Sequence, residues 1–251
     1  MKALILAAGY GKRLRPITEK IPKAMVEVCG TPLLVRTLNI LTLLDIKKIG
    51  IVVGHMADYI QKQIGYEWNG AKISYYENRR YGETNNIASF YAAAEFCDDD
   101  MLLLECDICF SKELIEFLMK GNGACSILVS PFNKITMSGS AIRAQGEMVV
   151  ELILGTMQDC NFNYTTAFKT VNCYRFTRDF VQKYLKLIRW YIETIGEQCY
   201  YEKVLGSLIY LQDFDIRIIN VPEEMWCEID NVEDLHRAER KFTIITGNEK
   251  R

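Results

Sequence analysis

The chain has 251 residues, 49% hydrophobic and 25% charged, enough to bury a substantial core in one large domain without disulfides or a structural metal. Lys and Arg total 30 against 32 Asp and Glu, a net charge of −2, which argues against nucleic acid as the main partner. No apolar stretch reaches membrane-span length, the N-terminal apolar run is too short for a secretion signal, and nine irregularly spaced cysteines read as reduced thiols of a cytoplasmic protein.

Along the chain, Lys2–Ala7 is a short apolar run that predicts a buried strand. Residues 9–23 show no apolar periodicity and carry Gly, Pro and basic residues, which predicts a long loop. Residues 32–46 place Leu34, Leu38, Leu41 and Leu44 at helical spacing behind a first-turn proline. Strands are expected at 49–53 and 72–77, an Ala-rich helix at 86–96, and a fourth strand at 101–105 leading to Asp107. Ser111 marks the N-cap of a helix running to about Met119, with Glu113 and Glu116 in its start, and 124–130 reads as a fifth strand. Strands alternating with helices imply an α/β fold whose mainly parallel sheet is covered on both faces.

At 131–170 the pattern changes to short polar segments between strand-like ones, predicting a small β-rich insertion that forms a lid or half of a pocket. Helices at 177–195 and 200–210, a strand at 215–221, a short strand around 228–230 and a final helix at about 232–242 complete a single domain over 1–242. The polar residues 243–251 are expected to be a frayed tail or a linker, with fusion to a further domain or homo-oligomerisation left open. Cys106 and Cys109 form a lone C-x-x-C with no second pair at zinc-ligand spacing, so two buried thiols are expected rather than a zinc half-site or redox pair.

The informative segment is Leu6-Ala7-Ala8-Gly9-Tyr10-Gly11-Lys12-Arg13-Leu14-Arg15-Pro16, ending at Pro22-Lys23. A glycine-rich turn after the first strand lies outside the carboxyl ends of the strands, where such sheets bind ligands. Small residues at Ala8, Gly9 and Gly11 let backbone N–H groups approach phosphate oxygens. Arg13 adds a bidentate fork and Lys23 a point charge. A dinucleotide fingerprint needs a third glycine where Leu14 stands and an acid where Gly54 and His55 stand, and no Walker A pattern is present. A lone Gly-x-Gly would favour a solvated basic loop; Arg13, Pro16, Pro22-Lys23 and Gly30-x-Pro32 together argue against it.

This run, with Gly30-x-Pro32-Leu33, resembles the signature of the nucleotidyltransferase superfamily, which includes sugar-1-phosphate nucleotidyltransferases and small-substrate cytidylyltransferases. The resemblance implies a Rossmann-like mixed sheet, with the loop from Leu6 through Lys12 wrapping a triphosphate and Arg13 and Lys23 in the phosphate-binding and transition-state roles. Asp107 and Asp230, at strand ends, match the superfamily's two metal-binding aspartates, so Mg2+ is the expected cofactor; Glu105 and Glu228 flank them as supporting carboxylates. Asn85-Asn86-Ile87-Ala88-Ser89 resembles the segment found in cytidylyltransferases that activate phosphocholine or 2-aminoethylphosphonate. It implies CTP as donor, with Asn85, Asn86 and Ser89 at the base, the alternative being a helix N-cap. The 228–235 segment resembles the same branch.

The acceptor is expected against the insertion and later helices. Lys169 would face its phosphorus group, and Tyr200, Tyr201 and Glu202 would surround an amine, although the tyrosines suit a core equally. An aromatic cage suits a quaternary ammonium and a carboxylate suits a primary one. His55 and His236 are given no role, because an acceptor oxygen with a second pKa near ~6 is already ionised at neutral pH. The expected activity is transfer of CMP from CTP to 2-aminoethylphosphonate or phosphocholine with release of pyrophosphate. A UTP- or dTTP-using sugar-1-phosphate nucleotidyltransferase and a non-catalytic nucleotide-binding module are the alternatives.

Overall fold

The computed structural model describes residues 1–248, with side chains described through residue 243. In chain order the strands are β1 (Lys2–Ala7), β2 (Glu27–Val28), β3 (Thr31–Pro32), β4 (Lys48–Val53), β5 (Glu67–Trp68), β6 (Ala71–Glu77), β7 (Met101–Glu105), β8 (Ile108–Phe110), β9 (Cys125–Pro131), β10 (Ala141–Gln145), β11 (Met148–Ile153), β12 (Phe168–Phe176), β13 (Ile216–Asn220) and β14 (Trp226–Glu228). The helices are α1 (Leu33–Leu43), α2 (Ala57–Ile64), α3 (Asn86–Ala92), α4 (Lys112–Met119), α5 (Arg178–Thr194), α6 (Tyr201–Leu211) and α7 (Val232–Asn248).

Ten strands form one mixed sheet in the order β10-β11-β13-β9-β12-β7-β1-β4-β6-β5. β7, β1, β4 and β6 run parallel, as do β9 and β13, while β12 lies antiparallel between β9 and β7. β1 shows why its sequence is apolar throughout: Leu4 and Leu6 enter the core beneath α3, α5 and α6, and Ala3, Ile5 and Ala7 enter the core beneath α1, α2 and α4. A strand covered on both faces needs no polar alternation. A third cluster joins Leu14, Val26, Leu33, Cys109, Cys227, Ile229, Leu235 and Phe242. It pins the loop after β1 against the β8–β14 ribbon and α7.

Several expectations change. Residues 57–64 form a helix, α2, where no element was expected; only Ile60 and Ile64 are buried in it, too few for a period to stand out. Residues 131–170 are β-rich as expected and, of the two expected roles, form part of a pocket wall: the β10–β11 hairpin extends the main sheet through β13 and β12, and Ser140, Leu154 and Lys169 line a cavity. The last helix continues to Asn248, beyond the expected end at 242. Of the expected frayed tail 243–251, residues 249–251 lie outside the described residues. Cys106 and Cys109 are buried free thiols. Among the described residues no helix is long and apolar enough to cross a membrane.

Candidate active site

β1 and β7 run side by side in parallel, Leu6 opposite Glu105, so the segments that follow them emerge at the same sheet edge. The chain after β7 continues into β8, which pairs antiparallel with β14, Ile108 opposite Glu228. The Ile229 backbone N–H donates to the Asp107 carbonyl at 2.9 Å. This two-stranded ribbon carries Asp107 and Asp230 to one point. There the Lys23 ammonium donates to Asp107 Oδ2 at 2.6 Å and to Asp230 Oδ1 at 2.9 Å. Arg13, 66% exposed at its side chain, reaches the same Asp230 oxygen at 2.9 Å.

The loop is built to hold this arrangement. Gly11 sits at φ +63, and a Cβ there would come within 2.9 Å of Lys23 Cβ and 3.1 Å of Thr18 Cγ2. The Thr18 hydroxyl donates to the Gly11 carbonyl at 2.8 Å. Gly9 differs, since a Cβ there meets nothing within 4 Å; its backbone faces open cavity. Burial opposes the Lys23 charge, but the Asp107 and Asp230 carboxylates outweigh it and hold the ammonium above its ordinary range. Burial likewise works to raise Asp230, and the charges and hydrogen bond of Lys23, then Arg13, bring it below the usual carboxylate range. Asp107 Oδ1 is buried with no hydrogen-bond partner.

Two cavities meet here. One, of about 290 Å³, is lined by all eight residues expected at the nucleotide, Leu6, Ala8, Gly9, Gly11, Lys12, Asn85, Asn86 and Ser89, together with Arg13, Lys23, Asp107 and Asp230. The other, of about 450 Å³, is lined by Lys169, Tyr200 and Glu202, together with Glu105, Asn172 and Glu228. Arg13, Lys23, Asn85, Asn86, Glu105, Asp107 and Asp230 line both.

Within these walls some side chains are engaged differently from expectation. Asn85 Oδ1 accepts the Asn86 backbone N–H at 2.8 Å, as a helix cap. Asn86 serves the second cavity: its Nδ2 donates to Glu105 Oε1 at 3.3 Å and Glu202 Oε2 at 3.4 Å, and its Oδ1 accepts the Tyr201 N–H at 2.9 Å. Tyr201, expected beside the acceptor, is fully buried against Phe90 and Tyr174. Its hydroxyl donates to Glu105 Oε1 at 2.8 Å, so it orients a cavity carboxylate from behind the wall. Lys169, 1% exposed, does not present a free ammonium; it pairs with Glu228 Oε2 at 3.2 Å and donates to the Thr170 carbonyl at 2.6 Å. β12 sets Lys169 in regular register between Ser130 and Ala141; the register shift that follows, between Thr170 and Tyr174 with Asn172 at φ +56, is a local bulge of the kind that re-aims side chains, and Asn172 lines the same cavity.

The second cavity therefore holds Glu105, Glu202 and Glu228 beside Asp107 and Asp230, whereas sequence reasoning gave the acceptor only Glu202 and set Glu105 and Glu228 behind the metal aspartates. Burial pushes all three up, Glu105 furthest, with Asp107 and Glu202 adding to it, while Lys169 opposes the rise at Glu228. Glu105-Cys106-Asp107 and Glu228-Ile229-Asp230 carried the available signal: the same Glu-x-Asp spacing at the ends of two strands.

The profile of the MobA-like NTP transferase domain matches residues 3–161. The chain is 28% identical over 246 residues, 97% of its length, to the CMP-5'-(3-aminopropyl)phosphonate synthase of Streptomyces rubellomurinus, but spans only 39% of that protein. It is 28% identical over 248 residues, 97% of its length and 94% of the relative's, to the 2-aminoethylphosphonate cytidylyltransferase of Lancefieldella rimae. In fold it is similar to the CTP:phosphocholine cytidylyltransferase of Streptococcus pneumoniae, with a TM-score of 0.75, 22% identity and coverage of 95% of this chain and 97% of that one.

Proposed function

The chain belongs to the MobA-like NTP transferase family and is a nucleotidyltransferase, and from that premise we propose that it transfers CMP from CTP to a small amine-bearing phosphonate or phosphate ester. The observation that carries this reading is the meeting of two cavities at Lys23, Asp107 and Asp230, one floored by the glycine loop and the other by buried carboxylates. In the transfer, an acceptor oxygen attacks the α-phosphorus of CTP. A new P–O bond forms, the bond to the bridging oxygen of the β-phosphate breaks, and pyrophosphate leaves. The attacking oxygen is already anionic near neutral pH, with a second pKa near ~6 for a phosphate ester, so no general base is required. Lys23 and Arg13 supply positive charge where the phosphates converge, and positioning with such charge accounts for most of the catalysis in phosphoryl chemistry.

Asp107 and Asp230 are our proposed Mg2+ ligands. Asp107 has one unpartnered buried oxygen, and both carboxylates already converge on one cation, Lys23. Among the described residues no cluster of three or more His, Cys, Asp or Glu could hold a metal by itself. Two carboxylates suit Mg2+, which completes its shell with substrate phosphates and water. When bound, the ion would neutralise charge on the triphosphate.

The acceptor's amine is argued from charge. Among the described residues Glu105 and Glu202 take part in no salt bridge, while Glu228 has Lys169. Buried carboxylates without a counter-charge are costly, and a cationic substrate supplies one. The two relatives named for aminoalkylphosphonate chemistry support the same class. Nine free thiols support a cytoplasmic setting.

Pyrophosphate release measured across CTP, UTP, dTTP and GTP, each with 2-aminoethylphosphonate, phosphocholine and glucose 1-phosphate, tests the reading. We expect turnover with CTP and an amine-bearing acceptor. Turnover confined to UTP or dTTP with glucose 1-phosphate would select the sugar-nucleotide alternative and overturn this one.

A further inference from the structure

In the sheet, β7 lies on one side of β1, and β4 then β6 lie on the other. Asp107 follows β7, whereas Tyr81 and Thr84 follow β6 and stand in the same cavity wall as Ser89 of α3. A nucleotide with its phosphates at Lys23 and the aspartates therefore sends its base toward the β6 side.

Just behind that wall lies Asn78, 7% exposed, its backbone N–H tied to the Val53 carbonyl at 2.9 Å. The Asn78 Oδ1 accepts the Arg80 backbone N–H at 3.0 Å, and a backbone N–H can only donate. That bond fixes which way the amide faces. Its Nδ2 then donates at 3.0 Å to Thr84 Oγ1 and at 3.0 Å to Ser89 Oγ. Thr84 passes its own proton to the Arg80 carbonyl at 2.9 Å. Ser89 has no such outlet: its oxygen accepts from Asn78, and among the described residues no protein group takes its proton. Its one O–H is left to the cavity that it lines.

We propose that Asn78 is a positioning residue that holds Ser89 as a hydrogen-bond donor to ring nitrogen N3 of the base, and that this polarity selects cytosine over uracil and thymine. The inference rests on the reading that a pyrimidine nucleoside triphosphate occupies this cavity. Cytosine N3 is an acceptor; the N3 of uracil and thymine carries a hydrogen. Opposite uracil or thymine the serine could accept the N3 hydrogen only with its remaining lone pair, which leaves its own O–H without an acceptor among the described residues, a loss of roughly five- to a hundredfold in affinity.

Asn78→Asp is the informative change. It keeps the acceptor for the Arg80 N–H but replaces the Nδ2 donor with an oxygen, which takes the Ser89 proton and turns the serine's lone pairs toward the base. The ratio of kcat/KM for CTP to that for UTP should fall about tenfold or more, chiefly through KM. The added negative charge penalises both triphosphates alike and leaves the ratio untouched. Ser89→Ala should lower CTP use with little change for UTP, and in the Ser89→Ala background Asn78→Asp should no longer move the ratio. An equal loss for both nucleotides in Asn78→Asp, or a ratio unmoved by Ser89→Ala, overturns the proposal; the serine variant carries the test alone if the buried aspartate prevents folding. Wild-type protein that does not discriminate CTP from UTP overturns it also, whereas wild-type protein that uses neither overturns the nucleotide reading beneath it.

Discussion

Lys23 is a buried ammonium clasped by two carboxylates, and both its energetics and its chemistry follow from that. Lys23→Ala leaves Asp107 without its cation and Asp230 with only the exposed Arg13. We expect a loss of stability of about 3 kcal/mol, typical of breaking a buried pair, and a fall in kcat of roughly a hundredfold or more. Because Mg2+ is proposed to use the same two carboxylates, it should raise the melting temperature of Lys23→Ala more than that of the wild type. Equal shifts in both proteins would remove the aspartates from the metal assignment. Glu202 and Asp230 give opposite pH signatures. Glu202 is raised by burial from its ordinary 4.5, so its stabilising contribution is complete below that value and is lost as pH rises through the raised pKa. Asp230 is lowered from 3.8, so its contribution is present above that value and is lost as pH falls through the lowered pKa. Glu202→Gln should therefore melt higher than wild type at pH 8 and not at pH 4. It should also lose affinity for an amine-bearing acceptor. A melting difference independent of pH would show that the carboxylate is compensated in some other way.

At the scale of elements, the glycine loop separates two demands that sequence alone merges. Gly11 is needed by the fold, because its φ of +63 and the 2.9 Å approach of Lys23 Cβ leave no room for a side chain. Gly11→Ala should cost about 1–2 kcal/mol for the left-handed backbone and displace Lys23, lowering kcat. Gly9 has open space around its would-be Cβ. Gly9→Ala should leave stability within about 0.5 kcal/mol, as for a substitution that meets nothing, and raise KM for CTP as the phosphates are held off. Thermal melts beside steady-state kinetics distinguish the two; equal destabilisation by both would contradict the division. The loop was legible because its composition breaks the apolar pattern on both sides. Of the β8–β14 ribbon only a short strand around 228–230 was legible; β8 and the pairing were not, because a three-residue strand carries no measurable period and the pairing joins residues far apart in the chain. Yet this ribbon is what brings Asp107 beside Asp230. α2 escaped for a related reason, its apolar face being reduced to Ile60 and Ile64.

For the molecule as a whole, the nucleotide half of the site is largely local in sequence and the acceptor half is not. Leu6 through Lys23 and the 85–89 segment were recognisable as runs. The second cavity is assembled from Glu105 on β7, Lys169 on β12, Glu202 on α6 and Glu228 on β14; the shared Glu-x-Asp spacing marks Glu105 and Glu228, but no local pattern places Glu202 and Lys169 with them. Tyr201 illustrates the difficulty: next to a cavity residue in sequence, it turns into the core and reaches the site only through its hydroxyl on Glu105. The resulting surplus of buried carboxylates over buried cations is the property from which the acceptor is argued. The most direct test follows the bond itself, by phosphorus NMR of the protein with CTP, Mg2+ and, in parallel samples, 2-aminoethylphosphonate or phosphocholine. The account predicts, with one of the two, a new phosphonate–phosphate anhydride or diphosphate-diester resonance growing in equal amount with pyrophosphate, and neither product without an acceptor. Pyrophosphate formed at the same rate with and without an acceptor, or no such resonance with either, would contradict it.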